Sequence, residues 1–105
     1  YVYIKRFRKS DFDKLFSKGK KVYSRSLTML YFPSEDFKIG YSVSKKHGNA
    51  VKRNRIKRLL RASAREAFKD LKKNYRIVIM PKVREEYLYE KFVSEMNYLK
   101  KKENL

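Results

Sequence analysis

FKIGYSVSKKHGNAVKRNRIKRLLR, residues 37–61, changes its hydrophobic period halfway along. Phe37, Ile39, Tyr41 and Val43 alternate with Lys38, Gly40, Ser42 and Ser44, the period of two that suits a half-buried strand. Gly48 and Asn49 interrupt that alternation, and Asn49 is a good N-cap for a helix. Beyond it Ile56, Leu59, Leu60, Ala64, Ala67, Phe68 and Leu71 recur at helical spacing, which predicts a long helix to about Asn74 with one stripe facing a core. Rotation by about 100° per residue puts Asn54, Lys57, Arg58, Arg61 and Arg65 on the other side. Arg53 alone falls toward the apolar stripe, so either it snorkels or the first turn is irregular.

Working outward, Ser10 with Asp13 three positions later forms a capping box. Phe12, Leu15 and Phe16 then share one helical face before Gly19 closes a short first helix. Val22 to Phe32 reads as one β-rich run, and Pro33-Ser34-Glu35-Asp36 turns it into the strand that starts near Phe37, so these two strands are expected to pair antiparallel. Tyr75 to Met80, YRIVIM, is nearly all apolar, as in a strand buried on both faces near the middle of a sheet, and Pro81 ends it. A last helix from about Arg84 presents Leu88, Phe92, Met96 and Leu99, with a fraying KKKENL tail. The order is αββαβα: a single α+β domain over residues 1–105, with helices packed on a small mixed four-element sheet.

The formal charge is +18, from 29 basic and 11 acidic residues. Such a surplus repels itself and points to a polyanionic partner, nucleic acid before an anionic membrane, since phosphates release counterions when Lys and Arg replace them. Between Asp36 and Glu66 there is no acid at all, while Lys38, Lys45, Lys46, Lys52, Arg53, Arg55, Lys57, Arg58, Arg61 and Arg65 fall there. Solvated helix faces usually mix signs to form i,i+4 pairs, and this one does not. Cations also crowd the helix start, where the macrodipole is positive, each at a cost of about 0.3–1 kcal/mol. A phosphate docked there would be held by backbone and side chains together.

No catalytic apparatus is legible. There is no cysteine, His47 is the only histidine and reads as a turn residue or phosphate contact, and the acids fit a helix start and a polar turn. No paired carboxylates, Gly-rich phosphate loop or serine elbow is present. The absence of cysteine and of a membrane-length apolar stretch leads us to expect a cytoplasmic protein. Phe12 and Phe16, one turn apart, and Tyr31 and Tyr41 on the strands can be read either as core or as platforms that stack on unpaired bases.

The run GYSVSKKHGNAVKRNRIKRLLR, residues 40–61, resembles the signature of the protein subunit of bacterial ribonuclease P. KSDFDKLFSKGK (9–20) is similar to that family's first helix, and YRIVIMPK (75–82) to its later strand. The resemblance implies a partner RNA that positions Mg2+ and cleaves precursor tRNA at its 5′ side, one protein per RNA, so that the protein is an enzyme only as an accessory subunit. It implies that Arg53, Asn54 and Arg55, with Lys57, Arg58 and Arg61, contact the RNA subunit; the charge alone adds Lys45, Lys46, Lys52 and Arg65. It further implies that Phe12 and Phe16 line a cleft for the single-stranded leader of precursor tRNA, completed on the first strand by Leu30 or Tyr31, and that the βαβ crossover is left-handed. Rival readings are a structural ribosomal RNA-binding protein, a DNA binder that lays the helix in a major groove, and a protein-only nuclease. The mixed α+β pattern disfavours the second and the missing carboxylates the third.

Overall fold

The computed structural model describes residues 16–84 and 86–105. Four strands, β1 (Lys20–Tyr23), β2 (Leu27–Pro33), β3 (Lys38–Tyr41) and β4 (Tyr75–Pro81), form one mixed sheet in the order β1-β2-β4-β3. Helix α1 (Ala50–Ala67) connects β3 to its parallel neighbour β4, and α2 (Tyr89–Lys102) comes after β4. Of the expected first helix only its end is described: residues 16–18 are helical and Gly19 is not, while the Ser10–Asp13 capping box lies outside the described residues.

β4 takes the central place its composition demands. Ile77, Val78 and Ile79 are fully buried, and β4 pairs with β2 on one side and β3 on the other. This overturns the expected pairing of β2 with β3. The turn after Pro33 carries the chain past the end of β4, where the Ser34 N–H donates to the Asn74 carbonyl at 3.0 Å. The run from Val22 to Phe32 is likewise two strands, broken at Ser24–Ser26 without a glycine or proline to announce it. That hairpin is closed from outside: Glu95 on α2 accepts hydrogen bonds from the Ser24 hydroxyl (2.7 Å), the Ser26 N–H (2.6 Å) and the Ser26 hydroxyl.

One face of the sheet, with Leu27, Met29, Tyr31, Ile39, Ile77 and Ile79, packs under Ile56, Leu60 and Ala64 of α1 and Phe92, Met96 and Leu99 of α2. We call it the inner face. Strand alternation sends Leu30, Phe32, Val78 and Met80 to the outer face, where Leu30 and Val78 form a second small buried cluster.

Both helices are shorter than the periodicity suggested. α1 stops at Ala67, and Leu71, expected on its core stripe, packs from the turn beyond. Lys100 Nζ donates to the Ala67 carbonyl and to Asp70, both at 2.7 Å, neutralising the negative end of α1. α2 starts at Tyr89 because the Tyr87 side chain ties back to the end of β4: it donates its hydroxyl to the Lys82 carbonyl (2.7 Å) and accepts the Arg84 N–H (2.9 Å). Leu88 is therefore an exposed N-cap instead of a core residue.

The tail does not fray. The N–H of Leu105 reaches the Lys100 carbonyl and that of Asn104 reaches the Lys101 carbonyl, with Asn104 at φ 58°, a Schellman closure in which Leu105 returns to the core. Glu103, whose side chain is 6% exposed, receives Lys20 Nζ at 2.7 Å and the Tyr31 hydroxyl at 2.6 Å. These donors, Lys20 first, hold its carboxyl below the usual carboxylate range. A depressed native pKa stabilises the fold above the unfolded value of about 4.3 and is lost as pH falls below it. Glu103→Gln is expected to lower the melting temperature near neutrality and to flatten its decline between about pH 5 and pH 3.

Candidate nucleic-acid interface

The start of α1 is built by a tight turn. Lys45–His47 form a short 3-10 turn, and Gly48 comes next at φ 122°, a conformation that L side chains rarely adopt. A Cβ there would also meet Lys52 Cδ at 2.8 Å. Gly48→Ala should therefore cost about 1–3 kcal/mol of stability, read as a drop in the denaturation midpoint. Asn49 then caps the helix, its side-chain oxygen accepting the Lys52 N–H at 2.9 Å.

His47 is buried, with Nε2 3.0 Å from the Pro81 carbonyl and Nδ1 3.2 Å from that of Ser44. It locks the turn to the end of β4, so His47 is a turn residue and not a phosphate contact. Ile56, Leu60, Ser63, Ala64 and Ala67 fix the rotation of α1 about its axis, and the buried Ser63 hydroxyl is satisfied by the Leu59 carbonyl at 2.6 Å. What that rotation leaves outside is the cationic row.

Lys45, Lys46, Lys52, Asn54, Arg55, Arg58, Arg61 and Arg65 are exposed, and Lys57 is half-buried at the edge. Among the described residues no carboxylate pairs with any of these cations; the ion pairs lie elsewhere, at Lys20–Glu103, Lys69–Glu66, Arg76–Asp36 and Lys100–Asp70. The first turn of α1 holds no acid. The first turn at Arg53 is not irregular: the helix is regular from its cap, with the Arg53 N–H on the Asn49 carbonyl at 2.9 Å. The Arg53 side chain is half-buried, and Nε is enclosed without a hydrogen-bond partner.

Tyr41, on β3, supports the row from beneath. Burial pushes its hydroxyl well above the usual phenol range, opposed by the nearby Arg61 and Arg65 charges.

The outer face of the sheet is a second surface. Leu30 and Tyr31 cannot share it, because they are consecutive on β2. Tyr31 is 8% exposed on the inner face, edge-on to Tyr75 at 5.9 Å, and its hydroxyl is spent on Glu103. Burial, and after it the Glu103 contacts, raises its pKa. Tyr31 is a core residue, and only Leu30 of the pair faces outward. Half-buried Phe32 and Met80 lie beside Leu30, with the Arg76 guanidinium 6.0 Å from the Phe32 ring. Sequence reading missed Phe32 and Met80, although their two-residue spacing from Leu30 and Val78 carries the signal. Phe16 is 56% exposed at the end of the first helix, and Phe12 lies outside the described residues.

Among the described residues no three His, Cys, Asp or Glu side chains converge as metal ligands, and no helix is long and apolar enough to cross a membrane.

With this geometry in place, similarity to known proteins becomes specific. A family model described as Ribonuclease P matches residues 5–103. The chain is 34% identical over 101 residues to the ribonuclease P protein component of Bacillus velezensis, covering 93% of this chain and 87% of that protein. It is 41% identical over 73 residues to the component of Finegoldia magna, where the match spans 65% of the relative's length, and the match to the Oceanobacillus iheyensis component spans 60% of that protein. The solved RNase P protein of Staphylococcus aureus superposes with a TM-score of 0.79 at 26% identity, covering 93% of this chain and 94% of that one. The RNase P protein of Thermotoga maritima, at 24% identity and the same TM-score, shares the fold. The α+β architecture, the basic helix and a match over nearly the whole chain converge: this chain belongs to the Ribonuclease P family.

Proposed function

We propose that this chain is the protein subunit of a ribonuclease P ribonucleoprotein in the cytoplasm. It binds the catalytic RNA through α1 and promotes endonucleolytic removal of the 5′ leader from precursor tRNA. The observation that carries this reading is the row Lys52–Arg65, exposed and unmatched by any carboxylate among the described residues. Burying a cation against a phosphate needs no prior ion pair to be broken, so the whole of the counterion-release term is available for binding. Asn54 within the row supplies an amide that both donates and accepts, able to meet a sugar hydroxyl or a metal-bound water as well as a phosphate.

Half-buried Phe32 and Met80 on the outer sheet face, and the exposed Phe16, offer apolar and aromatic surface on which unpaired bases can stack. We place the leader there. The Mg2+ that the hydrolysis requires is assigned to the RNA. The protein's part is to neutralise phosphates and hold the substrate strand.

Reconstitution with a bacterial ribonuclease P RNA tests the proposal. At low Mg2+ the protein is expected to restore cleavage of precursor tRNA by the RNA, and to cleave nothing alone. A protein that binds the RNA without stimulating cleavage would favour the structural ribosomal role. Turnover that survives removal of all RNA would refute the division of labour.

A further inference from the structure

Tyr23 is the outward residue of the edge strand β1, 54% exposed, and it is not isolated. Lys21 Nζ lies 5.6 Å from its ring centroid and Lys82 Nζ 5.9 Å from it. An exposed tyrosine with two ammonium groups at its ring is uncommon on a surface where each long side chain could instead extend into water. The positions are fixed by the backbone. Lys82 Nζ donates to the Ser24 carbonyl at 2.9 Å, and the Lys82 N–H donates to the Ser26 carbonyl at 2.8 Å. Arg84 is drawn in from the next residues, its Nη2 donating to the Arg25 carbonyl at 2.8 Å.

Among the described residues no acid forms an ion pair with this cluster. Glu95, the carboxylate on the adjoining helix, is occupied by the Ser24 and Ser26 donors that close the hairpin. Burial pushes its carboxyl up, but those donors outweigh it and leave the pKa low, so it stays a bound anion within the hairpin. Glu86 is exposed and makes no ion pair among the described residues.

The cluster also lies in line with the leader surface. Tyr23 is directly paired with Thr28, and Thr28 with Met80, so these three form one row across the outer face. The next row is Lys21, Leu30 and Val78. Tyr23 therefore stands two strand spacings from Met80, about 10 Å, on the same face.

We propose that Lys21, Tyr23, Lys82 and Arg84 form a further single-stranded RNA subsite, in which one base stacks on Tyr23 and the flanking phosphates rest on the three cations. It rests on the reading of the outer face as a leader surface and extends the strand's path over the β1 edge, to nucleotides beyond those held at Phe32 and Met80. The subsite discriminates by flexibility, since a duplex cannot unstack a base onto the ring. It also explains an otherwise unused feature: the edge strand carries an aromatic where an inert polar residue would protect the edge as well.

The test uses the full chain and a short single-stranded oligouridine, monitored by fluorescence anisotropy, with ribonuclease P RNA bound in parallel. Tyr23→Ala is expected to weaken oligouridine binding about 5- to 20-fold, within the range of one lost base stack. Tyr23→Phe should bind within about twofold of the wild type, and both variants should bind ribonuclease P RNA like the wild type, because α1 is untouched. Lys21→Gln should lower the salt slope for oligouridine by about 0.7. Unchanged oligouridine affinity in Tyr23→Ala overturns the subsite. So does a wild-type protein that binds ribonuclease P RNA but not oligouridine, and that result leaves the α1 interface standing. A wild-type protein that binds neither RNA refutes the RNA-binding reading itself.

Discussion

A protein carrying Arg55→Glu, Arg58→Glu and Arg61→Glu is expected to lose at least about 10²-fold in affinity for ribonuclease P RNA near 0.15 M salt. Each phosphate contact contributes a slope of about 0.9 in log affinity against log salt, equivalent to roughly fivefold at that concentration. Three lost contacts give the stated factor, and the reversed charges add repulsion. The salt slope should fall by about three, measured by titration between roughly 50 and 200 mM. Stability should move the other way or stay put. None of these side chains is in an ion pair among the described residues, and all three are exposed, so nothing in the core is disturbed. New acids along α1 also relieve its run of like charge. A melting temperature that drops by several degrees would mean that the row supports the fold, and the interface assigned to α1 would be wrong.

The second large effect concerns substrate choice. In the reconstituted holoenzyme, Phe16→Ala should weaken binding of precursor tRNA with a long leader by roughly 5- to 150-fold, the equivalent of about 1–3 kcal/mol for a lost base stack. Mature tRNA, which has no leader, should bind the variant and the wild type alike. Phe16 is more than half exposed, so its truncation opens no cavity in the core. Leu30→Ala is a poorer probe, because Leu30 is 3% exposed and its loss would leave a void against Val78. Equal weakening for leader-bearing and leaderless substrates would remove the leader from this face and leave α1 as the site of RNA contact.

The cationic face of α1 was readable in the residues because everything that builds it is local. The cap at Asn49, the stripe from Ile56 to Ala67 and the unbroken positive charge opposite are contained in one short stretch, and a helix converts such spacing directly into direction. The sheet was less legible for a physical reason. Strand composition shows which segments are buried on two faces, and it placed YRIVIM at the centre, but it does not show which neighbours they take. β2 and β3, adjacent in the chain, are separated in space by β4. The polar Ser24-Arg25-Ser26 break was hidden because its turn is stabilised from α2, by a carboxylate about seventy residues away. The identity of Tyr31 as core could not be read from β2 either, since both faces of that strand carry large apolar side chains. Its assignment rests on Glu103, at the far end of the sequence.

That far end has a bearing on how the protein comes into being. The hairpin of β1 and β2 is held by Glu95, and Lys20 and Tyr31 by Glu103, residues translated well after the strands they fasten. On a ribosome, these fastenings of the sheet can therefore form only once Glu95 and Glu103 have emerged, whereas the cap and backbone bonds of α1 are local. If α1 is the RNA-binding element proposed above, a nascent molecule would thus complete that cationic face before its sheet is fastened.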